Sequence, residues 1–121
     1  MSDYVLVVDD EPEITRLIEV TLNNINLKTV AVHDGDEALT QIDRDAPKLI
    51  LLDLMMPRVS GFKVLERLYD NPATRTIPVI VISAYTTLPE AHKLQAKQIM
   101  PKGKFGTIEI REAVRAALGM T

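Results

Sequence analysis

The chain of 121 residues contains no cysteine. That excludes disulfides and any thiolate-held metal, and it is compatible with a reducing compartment. No apolar run approaches the roughly 20 residues needed to span a bilayer, so no membrane association is expected. The opening "MSDYVLVVDD" lacks the basic start and long apolar centre of a secretory signal, which makes the cytoplasm the expected location. A positive excess is missing too: the net charge of -3 opposes direct binding of nucleic acid, which needs a clustered basic surface. There is no internal repeat, low-complexity tract or linker, so residues 1–121 are expected to form one domain with one core. Hydrophobic residues at 46% and charged residues at 26% fit an ordinary globular protein.

What the chain does have is alternation. Compact apolar runs at 4–8 (YVLVV), 27–32 (LKTVAV), 48–52 (KLILL) and 77–82 (IPVIVI) read as strands. Three are nearly continuous Val, Ile and Leu, the pattern of strands buried on both faces of a parallel sheet. Between them Ile14, Leu17, Ile18, Leu22 and Ile25 carry helical spacing, with Asp10 as N-cap and Pro12 in the first turn. Residues 34–46 and 60–71 read as two further helices, and Thr86 to Gln98, with a thin apolar stripe, as a short fourth. A fifth strand is expected at 97–100 (KQIM). The last helix carries the stripe Ile110, Ala113, Val114, Ala117 and Leu118, with Gly119 as its C-cap. Alternating strand and helix predict an α/β fold with right-handed crossovers and helices on both faces of a parallel sheet.

In such a sheet the ligand site lies beyond the carboxyl ends of the strands. Asp9, Asp10 and Glu11 follow the first strand, Asp53 the third, Ser83 the fourth and Lys102 the fifth. Each has a plain structural reading when taken alone. Asp10 can cap a helix, Asp53 can sit in a turn, Ser is common at strand ends, and a single Lys is usually solvated. Their joint placement on one rim argues for chemistry. Crowded carboxylates repel unless a cation neutralises them. An all-oxygen cluster with no His or Cys suits Mg²⁺, which keeps several waters and leaves positions for a phosphoryl oxygen. Lys102 then serves as a point charge on the same phosphoryl group, Ser83 as a hydrogen-bond donor, and Asp53 as the nucleophile that forms an acyl phosphate.

These residues resemble the receiver domain of bacterial two-component response regulators, of the CheY-like type. "VLVVDDEPEI", "LILLDLMMPRVSGFKVL" and "IPVIVISA" are similar to its three signature blocks, and with the lysine region the likeness covers essentially the whole chain. The resemblance implies a flavodoxin-like (βα)5 fold with strand order 2-1-3-4-5. It implies that Asp53 accepts the phosphoryl group and that Asp9 and Asp10 form the acidic pair for the metal. Met55 would add its backbone carbonyl, while Pro57 and Gly61 match the loop after the acceptor. The expected donors are a histidine kinase, a histidine phosphotransfer protein or a small molecule such as acetyl phosphate. The expected readers are an output domain or target protein, and the expected state is a monomer or a weak phosphorylation-dependent dimer. The protein would be a switch rather than a metabolic enzyme, its two surface states biased through Ser83 and Lys102.

The C-terminal third departs from that family. Pro101 precedes Lys102 and Gly103 follows it, where the family has Lys then Pro. Ile99 stands at the usual aromatic switch position, with Tyr85 or Phe105 as candidate substitutes, and the stretch from Ser83 to Lys102 is short. Of the two lysines in "IMPKGKFG", register from the strand selects Lys102 over Lys104, because Ile99 and Met100 then fill the aromatic and aliphatic positions. His33 and His92 lack ligand partners at helical spacing and read as surface residues; Met55 and Met56 read as loop and packing residues. These departures leave room for a pseudo-receiver that binds partners with weak or no phospho-switching. A phosphatase of the dehalogenase class has Asp-x-Asp after its first strand, which "VVDDEPE" does not supply, and usually adds a cap domain, for which this chain is expected to have no room.

Overall fold

The computed structural model describes residues 2–84, 96–102 and 106–120, the side chain of Lys97 excepted. Strands β1 (Val5–Val8), β2 (Thr29–Val32), β3 (Leu49–Asp53), β4 (Val79–Ser83) and β5 (Ala96–Pro101) are joined with helices α1 (Pro12–Asn23), α2 (Gly35–Arg44), α3 (Gly61–Asp70) and α4 (Thr107–Ala117). All pairings are parallel and the order is β2-β1-β3-β4-β5. The predicted topology is thus the observed one. No helix among the described residues is long and apolar enough to cross a membrane.

β1, β3 and β4 are buried along their whole length, because alternate side chains feed two separate cores. Leu6, Val8, Ile50, Leu52 and Val81 meet Ala38 and Ile42 of α2 and Val64, Leu65 and Leu68 of α3. Val5, Val7, Leu49, Leu51, Ile80 and Ile82 meet Ile18 and Leu22 of α1 and Ile110, Ala113 and Val114 of α4. The continuous Val/Ile/Leu runs follow from this double coverage.

Several local expectations need correction. Asp10 does not cap α1: Pro12 occupies the first helical turn, the N-cap position falls on Glu11, and the cap has no side-chain bond. The apolar run at 27–32 begins too early as a strand, since Leu27 closes α1 instead. Its amide donates to Leu22 O at 3.1 Å and that of Asn26 to Asn23 O at 3.1 Å, the paired bonds of a Schellman turn, with Asn26 at φ 64°. Asn accepts this left-handed conformation at lower cost than most residues. The fourth helix cannot reach Gln98, because β5 already begins at Ala96 opposite Val79, and a register shift follows before Gln98 pairs with Ile80. The remainder of that expectation lies outside the described residues, as do His92, Tyr85, Gly103, Lys104 and Phe105. At the C-terminus Leu118 takes the C-cap and Gly119 lies just past it with φ 70°.

α2 and α3 begin where the turn residues placed them. Asp34 caps α2, its Oδ1 accepting from Glu37 N at 2.8 Å, and Ser60 caps α3 through Lys63 N at 3.4 Å. Asp34 also accepts from Arg58 Nη2 at 2.9 Å, tying α2 to the loop after β3. Asp34→Ala is expected to cost about 1 kcal/mol, chiefly the lost cap, read as a shifted midpoint in urea unfolding. Asp34→Asn, which keeps the cap, should recover most of it.

Candidate phosphoacceptor and metal site

The parallel register assembles the rim. Val8 pairs with Leu52, so Asp9, just past the end of β1, lies beside Asp53, the last residue of β3, at the point where strand order reverses. Asp53 pairs with Ile82, Ser83 pairs with Pro101, and Lys102 N donates to Ser83 O at 2.7 Å. Pro101 is tolerated because β5 lies at the sheet edge. Every candidate site residue predicted from the sequence therefore stands at this one rim.

Asp9, Asp53 and Ser83 are fully buried. Asp53 Oδ1 accepts from Met55 N at 3.1 Å and Oδ2 lies 3.0 Å from Lys102 Nζ. The Met55 side chain is exposed, as expected if only its backbone serves the site. Asp9 Oδ1 accepts from Glu11 N at 2.8 Å and from Lys102 Nζ at 3.3 Å. Asp9 Oδ2 is buried and accepts no hydrogen bond; the same ammonium lies at an ion-pair distance of 3.3 Å. Asp9, Asp10 and Asp53 bring one carboxylate oxygen each to within 4.8 Å of one another.

Burial pushes Asp9 up to about 6; the Glu11 amide opposes this, Asp53 adds to it, and Lys102 offsets part. Burial also raises Asp53, against hydrogen bonds from Lys102 and Met55. Lys102 loses some basicity to burial, but contacts with Glu11, Asp53 and Asp9 outweigh it and hold the ammonium above its ordinary range. Among the described residues the site thus carries more negative charge than the Lys102 ammonium offsets. An orphaned buried oxygen in a hard-oxygen donor set is what a divalent cation such as Mg²⁺ would satisfy, so the residues fit the ion.

The sign of the pH dependence follows. Folded Asp9 keeps its proton to about pH 6 but unfolded Asp only to 3.8, so between these values the folded state binds more protons. Stability of the metal-free protein should therefore fall as pH rises from 4 to above 6, with Asp53 acting in the same direction. Thermal melts in chelator at pH 5 and pH 7 measure this. Asp3 and Asp34 are shifted downward and act only in more acid solution.

Sequence reasoning placed Glu11 on the rim but gave it no role, whereas its Oε1 lies 2.7 Å from Lys102 Nζ. The acidic triplet "DDE" was visible; the reach of its third member was not. His33 is exposed, as its reading as a surface residue expects, with its Nε2 3.3 Å from Thr15 Oγ1.

Known proteins place the same framework in context. Response regulator PleD of Caulobacter vibrioides is 45% identical over 84 residues, covering 69% of this chain and 18% of that protein. Regulatory protein VanR of Enterococcus faecium is 37% identical over 87 residues, covering 72% of this chain and 36% of that protein. The chain thus spans well under half of these relatives. Among solved structures, the receiver domain of NtrX from Brucella abortus superposes with a TM-score of 0.85 at 27% identity, covering 97% of this chain and 99% of that one. The chemotaxis response regulator CheY4 of Vibrio cholerae gives 0.89 at 21% identity over 97% and 99%, a likeness of fold. The model of the response regulator receiver domain matches residues 5–115, from the first residue of β1 to the last turn of α4. With the match running across the whole parallel sheet, this chain belongs to the response regulator receiver domain family of two-component systems.

Proposed function

We propose that the protein is a phosphorylatable receiver in which Asp53 takes a phosphoryl group, with Mg²⁺, from a histidine kinase, a histidine phosphotransfer protein or a small donor such as acetyl phosphate. The observation that carries this reading is the Lys102 ammonium 3.0 Å from Asp53, beside an acid pair with an orphaned buried oxygen. Asp9, Asp10, Asp53 and the Met55 carbonyl would hold the ion, which when bound neutralises charge on the carboxylates and the phosphoryl oxygens.

A carboxylate oxygen of Asp53 attacks phosphorus. A P–O bond to Asp53 forms as the P–N bond of a phosphohistidine, or the P–O bond of acetyl phosphate, breaks, and imidazole or acetate leaves. Lys102 supplies a fixed positive charge to the transferring group, and the Ser83 hydroxyl a hydrogen bond to the product. The added anionic oxygens then draw on Lys102 and Ser83, which sit at the ends of β5 and β4, and so bias the surface those strands support toward an output domain or target protein.

Intact-mass analysis after incubation with Mg²⁺ and acetyl phosphate checks the reading: the wild type should gain one phosphoryl group, and an unmodified protein would refute it. Asp9 adds a pH signature. Metal binding must displace the proton that Asp9 holds to about pH 6, so apparent Mg²⁺ affinity should be flat above that value and weaken below it. Calorimetric titration across pH 5 to 8 reads this; affinity unchanged on acidification would rule out Asp9 as a ligand.

A further inference from the structure

The receiver reading gives each rim carboxylate a task except Glu11. This residue occupies the N-cap of α1, where a side-chain oxygen ordinarily accepts a first-turn amide, yet it makes no capping bond. Its carboxylate turns instead to Lys102 at 2.7 Å, closer than Asp53 at 3.0 Å or Asp9 at 3.3 Å. It lies outside the cluster of Asp9, Asp10 and Asp53 that would hold the ion.

We infer that Glu11 is a positioning residue that competes with the phosphoryl group for the Lys102 ammonium and so restrains both the loading of Asp53 and the lifetime of the loaded state. The inference rests on the receiver reading and extends it. An ammonium has three N–H donors, and here they face three carboxylates. A phosphoryl group on Asp53 brings further anionic oxygens that need one of them. Asp9 and Asp53 are fully buried and costly to leave unpaired, whereas the Glu11 side chain is 57% exposed and water can replace its partner. Glu11 is therefore the partner that yields. Removing its charge weakens its hold on one N–H, which a neutral oxygen yields more readily, while Asp9 and Asp53 keep Lys102 in place, and it lowers the repulsion felt by an anionic phosphodonor.

The labelling rate at subsaturating acetyl phosphate, read by intact mass, tests this in the wild type, Glu11→Gln, Glu11→Asp, Lys102→Ala and the Glu11→Gln/Lys102→Ala double variant. Glu11→Gln should label about fivefold faster and hold the phosphoryl group longer, with an unchanged thermal melt. In the Lys102→Ala background the same substitution should have no effect, because the competition has lost its object. Glu11→Asp, which keeps the charge but shortens the reach, should follow Glu11→Gln. In the metal-free protein the Lys102 side-chain NMR signals should shift in Glu11→Gln and stay put in Glu13→Gln. Equal rates for wild type and Glu11→Gln, or a gain that persists without Lys102, overturns the inference and leaves the receiver reading standing. No labelling of the wild type overturns both.

Discussion

Asp53→Asn is expected to abolish covalent labelling by acetyl phosphate and, at the same time, to make the metal-free protein more stable. The two effects have one cause. Asp53 is fully buried between Asp9, with no bonded partner for one oxygen, and a lysine shared with two other acids. Burial raises its pKa, so the charged form that the chemistry needs is the form that the fold tolerates poorly. An amide keeps the shape, can still accept from Met55 N, and removes a charge from the crowded rim. Lys102 keeps Glu11 and Asp9 as partners. The expected gain is on the order of 1 kcal/mol at pH 7 without metal, and it should shrink when Mg²⁺ is added, because the ion stabilises only the wild-type carboxylate set. Chemical unfolding with and without Mg²⁺ measures both terms. A variant that is less stable than wild type in chelator would contradict the electrostatic account even if labelling is lost.

Gly61→Ala should be the most damaging of the small substitutions near the site. A Cβ at position 61 would lie 2.2 Å from Asp53 O and 2.5 Å from Leu54 Cα, both backbone atoms that no rotamer change can move. The close approach is needed because Gly61 N donates to Leu54 O at 3.1 Å, which docks the start of α3 directly under the acceptor. Relieving the overlap must push α3 away from β3, opening the core at Val64 and Leu65 and shifting Asp53 itself. A loss of about 3 kcal/mol or more is expected, together with slower labelling in whatever fraction remains folded. Gly106→Ala is the control. Among the described residues its Cβ would meet a Glu109 side-chain oxygen at 3.1 Å, at an extended φ of -125° that any residue adopts, so urea midpoints should separate the two variants clearly.

The sheet was legible because strands covered on both faces must be apolar along their interiors, and β1 is throughout while β3 and β4 are up to their last residue. Their carboxyl ends were less so. Asp53 and Ser83 read as residues past a strand, yet each belongs to one, since pairing is made by the backbone and is indifferent to a polar side chain in the last position. Leu27 opens a compact apolar run that reads as strand, whereas it closes a helix. Asp10 was read as a cap because Asp favours that role, but Pro12 fixes the first helical residue and moves the cap to Glu11. The same shift leaves the Asp10 carboxylate for the acid cluster and sends that of Glu11 to Lys102. Which acids would converge was therefore readable from strand order. How they divide one ammonium was not, because that depends on side-chain reach across 49 to 93 positions of chain.

The most direct measurement is the position of the acyl phosphate. Protein labelled with acetyl phosphate and Mg²⁺, reduced with borohydride and mapped by peptide mass spectrometry, should carry homoserine in place of aspartate at residue 53, with Asp9 and Asp10 intact. Conversion at Asp9 or Asp10, or none at any of the three, would contradict the assignment of Asp53 as the acceptor.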